Sequence, residues 1–423
     1  MESRDIYWAK YLSERINKIK ENTSVKITSF DKIYDNVFAA GFKPNKVLTF
    51  TLRDDLSVAW ITAIKKYSNP DIIIYENEGL MNFDDEEFIF KRIGNSRRSI
   101  DLIDYYFYWG KKPADVSSKI LLRNGFIKEL NQVGYCGYVN YEMNSEDIIH
   151  SLSEDEMAHF RTIEKRCNNR NTILVLTAFA LCEYSDDQFR EDGEILSEDR
   201  NKIHEYAEMI RNKLKSYRKK YIGFIKYISN KYPDSVIIIK PHPAEYEMTD
   251  CIEYYKNMLN NDNVIVLDYA LLMGSLLSLS DIVIHYGSTA ALEAYIKGIP
   301  TILFRDSDYK GNSDLFYSSK EINVTNYTEF DLDIPFIRFE KNDQLLYDLF
   351  SYKIGEEYHP SDELIKNLIN DSDCSYQRKF KPSKEEYKVS LVLRTIFRKA
   401  IRYLISFKVK KFYNIFAAMI KVI

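Results

Sequence analysis

Cysteine is scarce and scattered: Cys136, Cys167, Cys182, Cys251 and Cys374 form no Cys-x-x-Cys pair and no cluster with histidine. That spacing speaks against a zinc site, and the odd count of five against a disulfide framework, so buried thiols in a reducing cytoplasm are expected. No apolar run reaches the ~18 residues that a bilayer-spanning helix needs. The opening stretch, MESRDIYWAKYLSERINKIK, is charged and helix-like and lacks the apolar centre of a signal peptide. There is no basic-aromatic module suited to nucleic acid, no internal repeat and no low-complexity segment. Asp84-Asp85 and Asp186-Asp187 lie in polar runs without supporting ligands, so no metal is expected.

What is present is a chain of 423 residues with 45% hydrophobic content, enough for two domains and additional segments. Short apolar runs alternate with helical patterns, which indicates parallel sheets covered on both faces. In the first half the runs are SVKITSF (24–30), KVLTFTL (46–52), DIIIYENEG (71–79), YYFYWG (105–110), KILLRNGF (119–126) and NQVGYCGYV (131–139). A charged stretch follows, and then TILVLTAF (172–179), a long helix over 200–231, SVIIIK (235–240), NVIVLD (263–268), DIVIHY (281–286) and TILFR (301–305). The expected division is a first α/β domain over 1–145, a linker over 146–170, a second α/β domain over 171–345 and a returning helical segment over 346–387. The remainder, 388–423, carries nine Lys or Arg and no Asp or Glu, with apolar residues at near-helical spacing. It is expected to be a basic amphipathic tail that rests on anionic lipid, the alternative being a helix packed back on the body.

Three strand ends carry the polar chemistry. In IIIKPHPAEYE, Pro241 and Pro243 stop the strand and stiffen the loop around His242, which presents an imidazole donor at low entropic cost, with Lys240 adding charge beside it. A second pair, His359-Pro360, follows no apolar strand and reads as an ordinary loop. In IVIHYGSTAALEAYIKGIP, a strand ends at His285 and Tyr286, Gly287 turns the chain, and Ser288 and Thr289 open a helix that carries Glu293. Hydroxyls and helix-start amides suit an anion, and Glu293 suits the hydroxyls of a ribose; simple capping by Ser288 is the plainer alternative. In DIIIYENEGL, Glu76 and Glu78 alternate across a strand end, so one of the two faces the cleft as a candidate base. Open α/β sheets bind ligands beyond the carboxyl ends of their strands, where all three motifs stand.

In this order the motifs resemble the GT-B glycosyltransferases of bacterial surface polysaccharide synthesis. The likeness is to surface carbohydrate biosynthesis proteins and to bacterial sialyltransferases and nonulosonate transferases, and it spans about residues 70–305. The matching residues are Glu78-Gly79, His242-Pro243 and Ser288-Thr289. The resemblance implies two Rossmann-like domains facing a cleft, with Glu78 as general base and His242 on the donor phosphate and leaving group. Lys240, Pro243, Gly287, Ser288, Thr289 and Glu293 would surround the donor, with Tyr286 and Glu76 as further candidates. Two features depart from the family pattern: Asn77 separates the acidic pair, and the chain opens on a helix instead of a leading strand.

The function this implies is an inverting, metal-independent transfer of a sugar acid from a CMP-activated donor to a bacterial surface glycan, with no cofactor. Pseudaminic, legionaminic or sialic acid, or Kdo, would each suit. The alternatives are a CDP-glycerol or CDP-ribitol phosphotransferase of teichoic-acid type, a UDP-sugar or UDP-GlcNAc 2-epimerase-like enzyme, and a non-catalytic scaffold. The expected partners are the donor, a glycan or lipid-linked acceptor and an anionic membrane, with the chain peripheral on the inner face of the plasma membrane.

Overall fold

A computed structural model describes residues 3–19, 24–29, 32–50, 52, 55–75, 100–125, 127, 133–135, 145–191, 200–288, 290–304, 322–324, 331 and 360–369. Glu76, Glu78, Gly79, Thr289, His359 and the tail 388–423 lie outside the described residues.

The chain forms two parallel sheets. The first contains β1 (Lys46–Thr49), β2 (Asp71–Tyr75), β3 (Tyr105–Tyr108) and β4 (Val133–Tyr135), side by side in chain order. The helix Asp55–Ser68 connects β1 to β2, and Lys111–Arg123 connects β3 to β4. Asp104 locks the lower edge: its carboxylate accepts the Ile72 amide at 2.8 Å and pairs with Lys65.

The second sheet contains β5 (Thr172–Leu176), β6 (Val236–Lys240), β7 (Val264–Val266), β8 (Ile282–His285), β9 (Thr301–Phe304) and β10 (Ile322–Val324). Its spatial order is β10-β9-β8-β5-β6-β7, so the chain winds outward from β5 in one direction and then from β8 in the other. This is the doubly wound dinucleotide-fold order, and the reversal lies between β5 and β8. Alternation along the strands fills both faces. Ile173, Val175, Ile237, Ile239, Ile282 and Ile284 join Tyr221, Phe224 and Ile225 of the Arg200–Lys231 helix in one apolar cluster. Leu174, Leu176, Val236, Ile238 and Val283 join Ile163, Leu276 and Ala294 in another.

The sheets are connected through apolar contacts. The helix Ala291–Ile296 places Ala291 and Ala294 in the second sheet's core, while Leu292, Tyr295 and Ile296 belong to the cluster built on β2, β3 and their helices. The charged stretch after the first sheet holds two helices, Ser145–His150 and Glu154–Cys167, of which Glu154–Cys167 starts on a Ser153 capping box. Ile148 lies against Met273–Leu277, where Gly274 has no room for a side chain: a β-carbon would stand 2.2 Å from Ile148 Cδ1. The last described helix, Pro360–Ile369, packs on the first, Ser3–Ile19, through Leu364, Ile365 and an Arg15–Asp362 ion pair.

Two segments differ from the strands expected of them. Residues 24–29 of SVKITSF form no regular strand. KILLRNGF lies mostly in the Lys111–Arg123 helix, which buries Pro113, Ala114, Ser117, Ile120 and Leu121 on one face. The apolar Ile-Leu-Leu run is compatible with either period, and the spacing back to Ala114 and Ser117 favours 3.6.

Candidate functional site

The site is built on the exits of three adjacent strands. Leu176, the last residue of β5, pairs with Lys240 of β6 on one side and with His285 of β8 on the other. The Lys240–Pro243 loop and the His285–Ser288 turn therefore leave the sheet at the same level, about 10 Å apart across β5. Tyr221 ties this edge together from below: its hydroxyl lies 3.1 Å from the Leu176 carbonyl and 3.3 Å from that of Ile284. Burial, and after it the Glu245 carboxylate, hold that phenol well above its ordinary pKa, so it remains a donor.

On the β6 side, Pro241 is buried and His242 is exposed. His242 caps the short helix Pro243–Tyr246, with Pro243 at its first position, where a missing amide proton costs nothing. The His242 Nδ1 accepts the Ala244 amide at 3.2 Å. In the neutral ring the proton then sits on Nε2, so the histidine offers a donor.

The residue that fixes this loop is Glu245, which sequence reasoning passed over. It is fully buried, and its carboxylate accepts the His242 amide at 2.7 Å, the Tyr255 hydroxyl at 2.5 Å, the Phe179 amide at 3.3 Å and the Thr177 hydroxyl. Four donors compensate the loss of water around its two buried oxygens. Because Thr177 and Phe179 follow β5 and His242 follows β6, this one carboxylate holds two strand exits in register. Burial, followed by Glu245, raises the Tyr255 phenol well above its usual pKa and keeps it protonated. The available signal was the spacing His-x-x-Glu, the capping-box interval with histidine in place of serine.

On the β8 side, Gly287 has φ of +71°, a left-handed conformation that side-chain-bearing residues avoid. Ser288 is buried, and its hydroxyl accepts the Ala290 amide at 3.3 Å. Glu293 is half-buried on the bridging helix Ala291–Ile296, within electrostatic reach of Lys297, whose Nζ donates to Ser145 at 3.0 Å. Tyr286, expected beside the donor, instead turns its ring into the core against Phe179 at 4.8 Å, Tyr217 at 5.9 Å and Tyr221 at 6.0 Å. Alternation explains this: Tyr286 shares the face of Ile282 and Ile284, which point toward the long helix. His285 is fully buried, and loss of solvent lowers its pKa to about 3, so it is neutral. The structure thus brings together Lys240, His242, Pro243, Gly287 and Ser288. Among the described residues, no group of three or more His, Cys, Asp or Glu side chains could hold a metal.

Two parallel α/β sheets, the second doubly wound, make this a GT-B-like protein of two Rossmann-like units. No protein-family model matches the chain, and no curated protein matches it. Among solved structures, the UDP-GlcNAc 2-epimerase of Methanocaldococcus jannaschii is similar over 85% of this chain and 88% of that one, with 15% identity and a TM-score of 0.45. The UDP-GlcNAc 2-epimerase of Neisseria meningitidis, bound to UDP-GlcNAc, gives the same coverages and identity with a TM-score of 0.43. The wall teichoic acid polymerase TagF matches over 85% of this chain and 84% of that one, at 15% identity and a TM-score of 0.45.

Proposed function

We propose that the chain is a transferase that binds a nucleotide-activated donor by its phosphate between the His242 loop and the Gly287–Ser288 turn. The observation that carries this is the register at the fold's reversal point: Leu176 pairs with both Lys240 and His285, so the imidazole and the glycine turn flank one strand exit. That crevice is where doubly wound sheets place their ligands. His242 Nε2 donates to a phosphate oxygen, Lys240 adds positive charge at the same strand end, and Gly287 lets the backbone come close. As the donor bond breaks, negative charge grows on the leaving phosphate, and these groups stabilise it without reorganising. Glu78, just beyond the end of β2, takes the proton from the attacking hydroxyl, with Glu76 as the alternative base.

In its finer form the proposal names two donors that need the same corner. One is a CMP-activated sugar acid, transferred with inversion to a surface glycan. The other is CDP-glycerol or CDP-ribitol, whose polyol phosphate is passed to a wall polymer. A melting-temperature panel of CMP, CDP, UDP and GDP separates them. Stabilisation by CMP alone supports the sugar acid, preference for CDP supports the polyol, and preference for UDP points to a UDP-sugar enzyme. If no nucleotide raises the melting temperature, the proposal fails and a scaffold role takes its place.

A further inference from the structure

The Arg200–Lys231 helix, 32 residues and about 48 Å long, has a surface that the donor site does not use. From Met209 to Lys231 its sequence contains no Asp or Glu, while Lys213, Lys215, Lys219, Lys220 and Lys231 are all exposed. Met209, Lys213, Lys220, Tyr227 and Lys231 fall within about 40° of one another round the helix, and exposed Lys219 and Lys215 lie further round, at the other side of the exposed arc. Nearer the start of the helix Arg211 pairs with Asp186 at 2.9 Å, and His204 Nδ1 lies 2.8 Å from the same carboxylate. By contrast, no carboxylate among the described residues pairs with Lys213, Lys215 or Lys219.

We propose that this face is a docking surface for an anionic bilayer. Three observations favour a membrane over another polyanion. The lysines lie along a single straight element, the Arg200–Lys231 helix, which suits contact with a plane. It also carries apolar reach among the charges: Met209 is 56% exposed, and half-buried Tyr227 supports Lys231 with its ring, 5.6 Å from the ammonium. Lysines that hold their charge outward over apolar side chains are suited to the headgroup boundary. Finally, the helix runs antiparallel to the strands and its Tyr221 sits at the exits of β5 and β8, so Met209, Lys213 and Lys215 extend past those exits. Docking there brings the rim of the site to the lipid surface. The surface is independent of which nucleotide the site takes and of the tail 388–423.

The test uses the full chain with vesicles of phosphatidylcholine containing phosphatidylglycerol, against pure phosphatidylcholine, at low and moderate salt. A variant carrying Lys213→Glu, Lys215→Glu and Lys219→Glu is compared with one carrying Lys18→Glu, Lys119→Glu and Lys165→Glu, all exposed positions, so the net charges match. The expected result is binding of wild type and control to the anionic vesicles, a loss of about tenfold or more for the helix variant, and weakening with salt. Equal binding by the two variants would overturn the proposal. In a separate variant, Met209→Trp should add fluorescence that brominated phosphatidylglycerol quenches; an unquenched signal from vesicle-bound protein would count against the surface. Tighter binding of wild type to a single-stranded oligonucleotide than to the vesicles would also overturn it.

Discussion

The carboxylate of Glu245 accepts the backbone amide of His242 at 2.7 Å, from a position with no solvent exposure. The same two oxygens receive Thr177, Phe179 and Tyr255, so the histidine loop is fixed by a group with no access to solvent. Glu245→Ala leaves these donors buried without an acceptor and is expected to cost about 3 kcal/mol or more of stability. Glu245→Gln keeps the shape and one acceptor and should cost less. Urea unfolding of the two variants checks the order.

Gly287→Ala forces a side chain into φ of +71°. The expected destabilisation is about 1–2 kcal/mol. Because the strain falls at the exit of β8, nucleotide affinity should drop further than global stability accounts for. Titration calorimetry beside thermal unfolding measures both.

Gly274→Ala places its methyl 2.2 Å from Ile148 Cδ1, between the Ser145–His150 helix and the second sheet. Overpacking of this kind costs about 1–3 kcal/mol. Shortening the partner with Ile148→Val in the same chain should recover most of the loss, since alanine is otherwise the better helix residue. Full additivity of the two single changes would show that the contact is unimportant.

Much of the fold was legible because strands buried on both faces read as continuous apolar runs, as in TILVL and VIIIK. The long helix over 200–231 was legible because its apolar period persists over many turns. KILLR was ambiguous because three apolar residues fit either period, and only its neighbours on the buried face, Ala114 and Ser117, decide it. The positions of His242, Gly287 and Ser288 just past the ends of β6 and β8 were legible from the apolar runs that precede them. Glu245 was hidden because a charged residue in a short polar segment reads as solvated, and only tertiary contact with Thr177 and Tyr255 buries it. Tyr286 was placed in the site although the alternation from Ile284 assigns it to the core.

His285 gives the fold a pH dependence of known sign. Burial lowers its pKa from 6.5 to about 3, so the unfolded chain binds a proton that the folded chain refuses. The contribution is present in full above pH 6.5 and is lost as pH falls toward 3, on the order of 5 kcal/mol in all. Unfolding free energies of wild type and His285→Gln between pH 7.5 and about 4.5 should converge as pH drops. A constant difference between them would contradict a neutral buried imidazole.

The donor-phosphate account is tested most directly by calorimetric titration of the best-binding nucleotide from the panel into wild type, His242→Ala and His359→Ala. The second variant removes the other His-Pro histidine. The account predicts that His242→Ala weakens binding by about tenfold or more, the loss of one hydrogen bond to a charged group, while His359→Ala binds as wild type. Wild-type affinity in His242→Ala would contradict it.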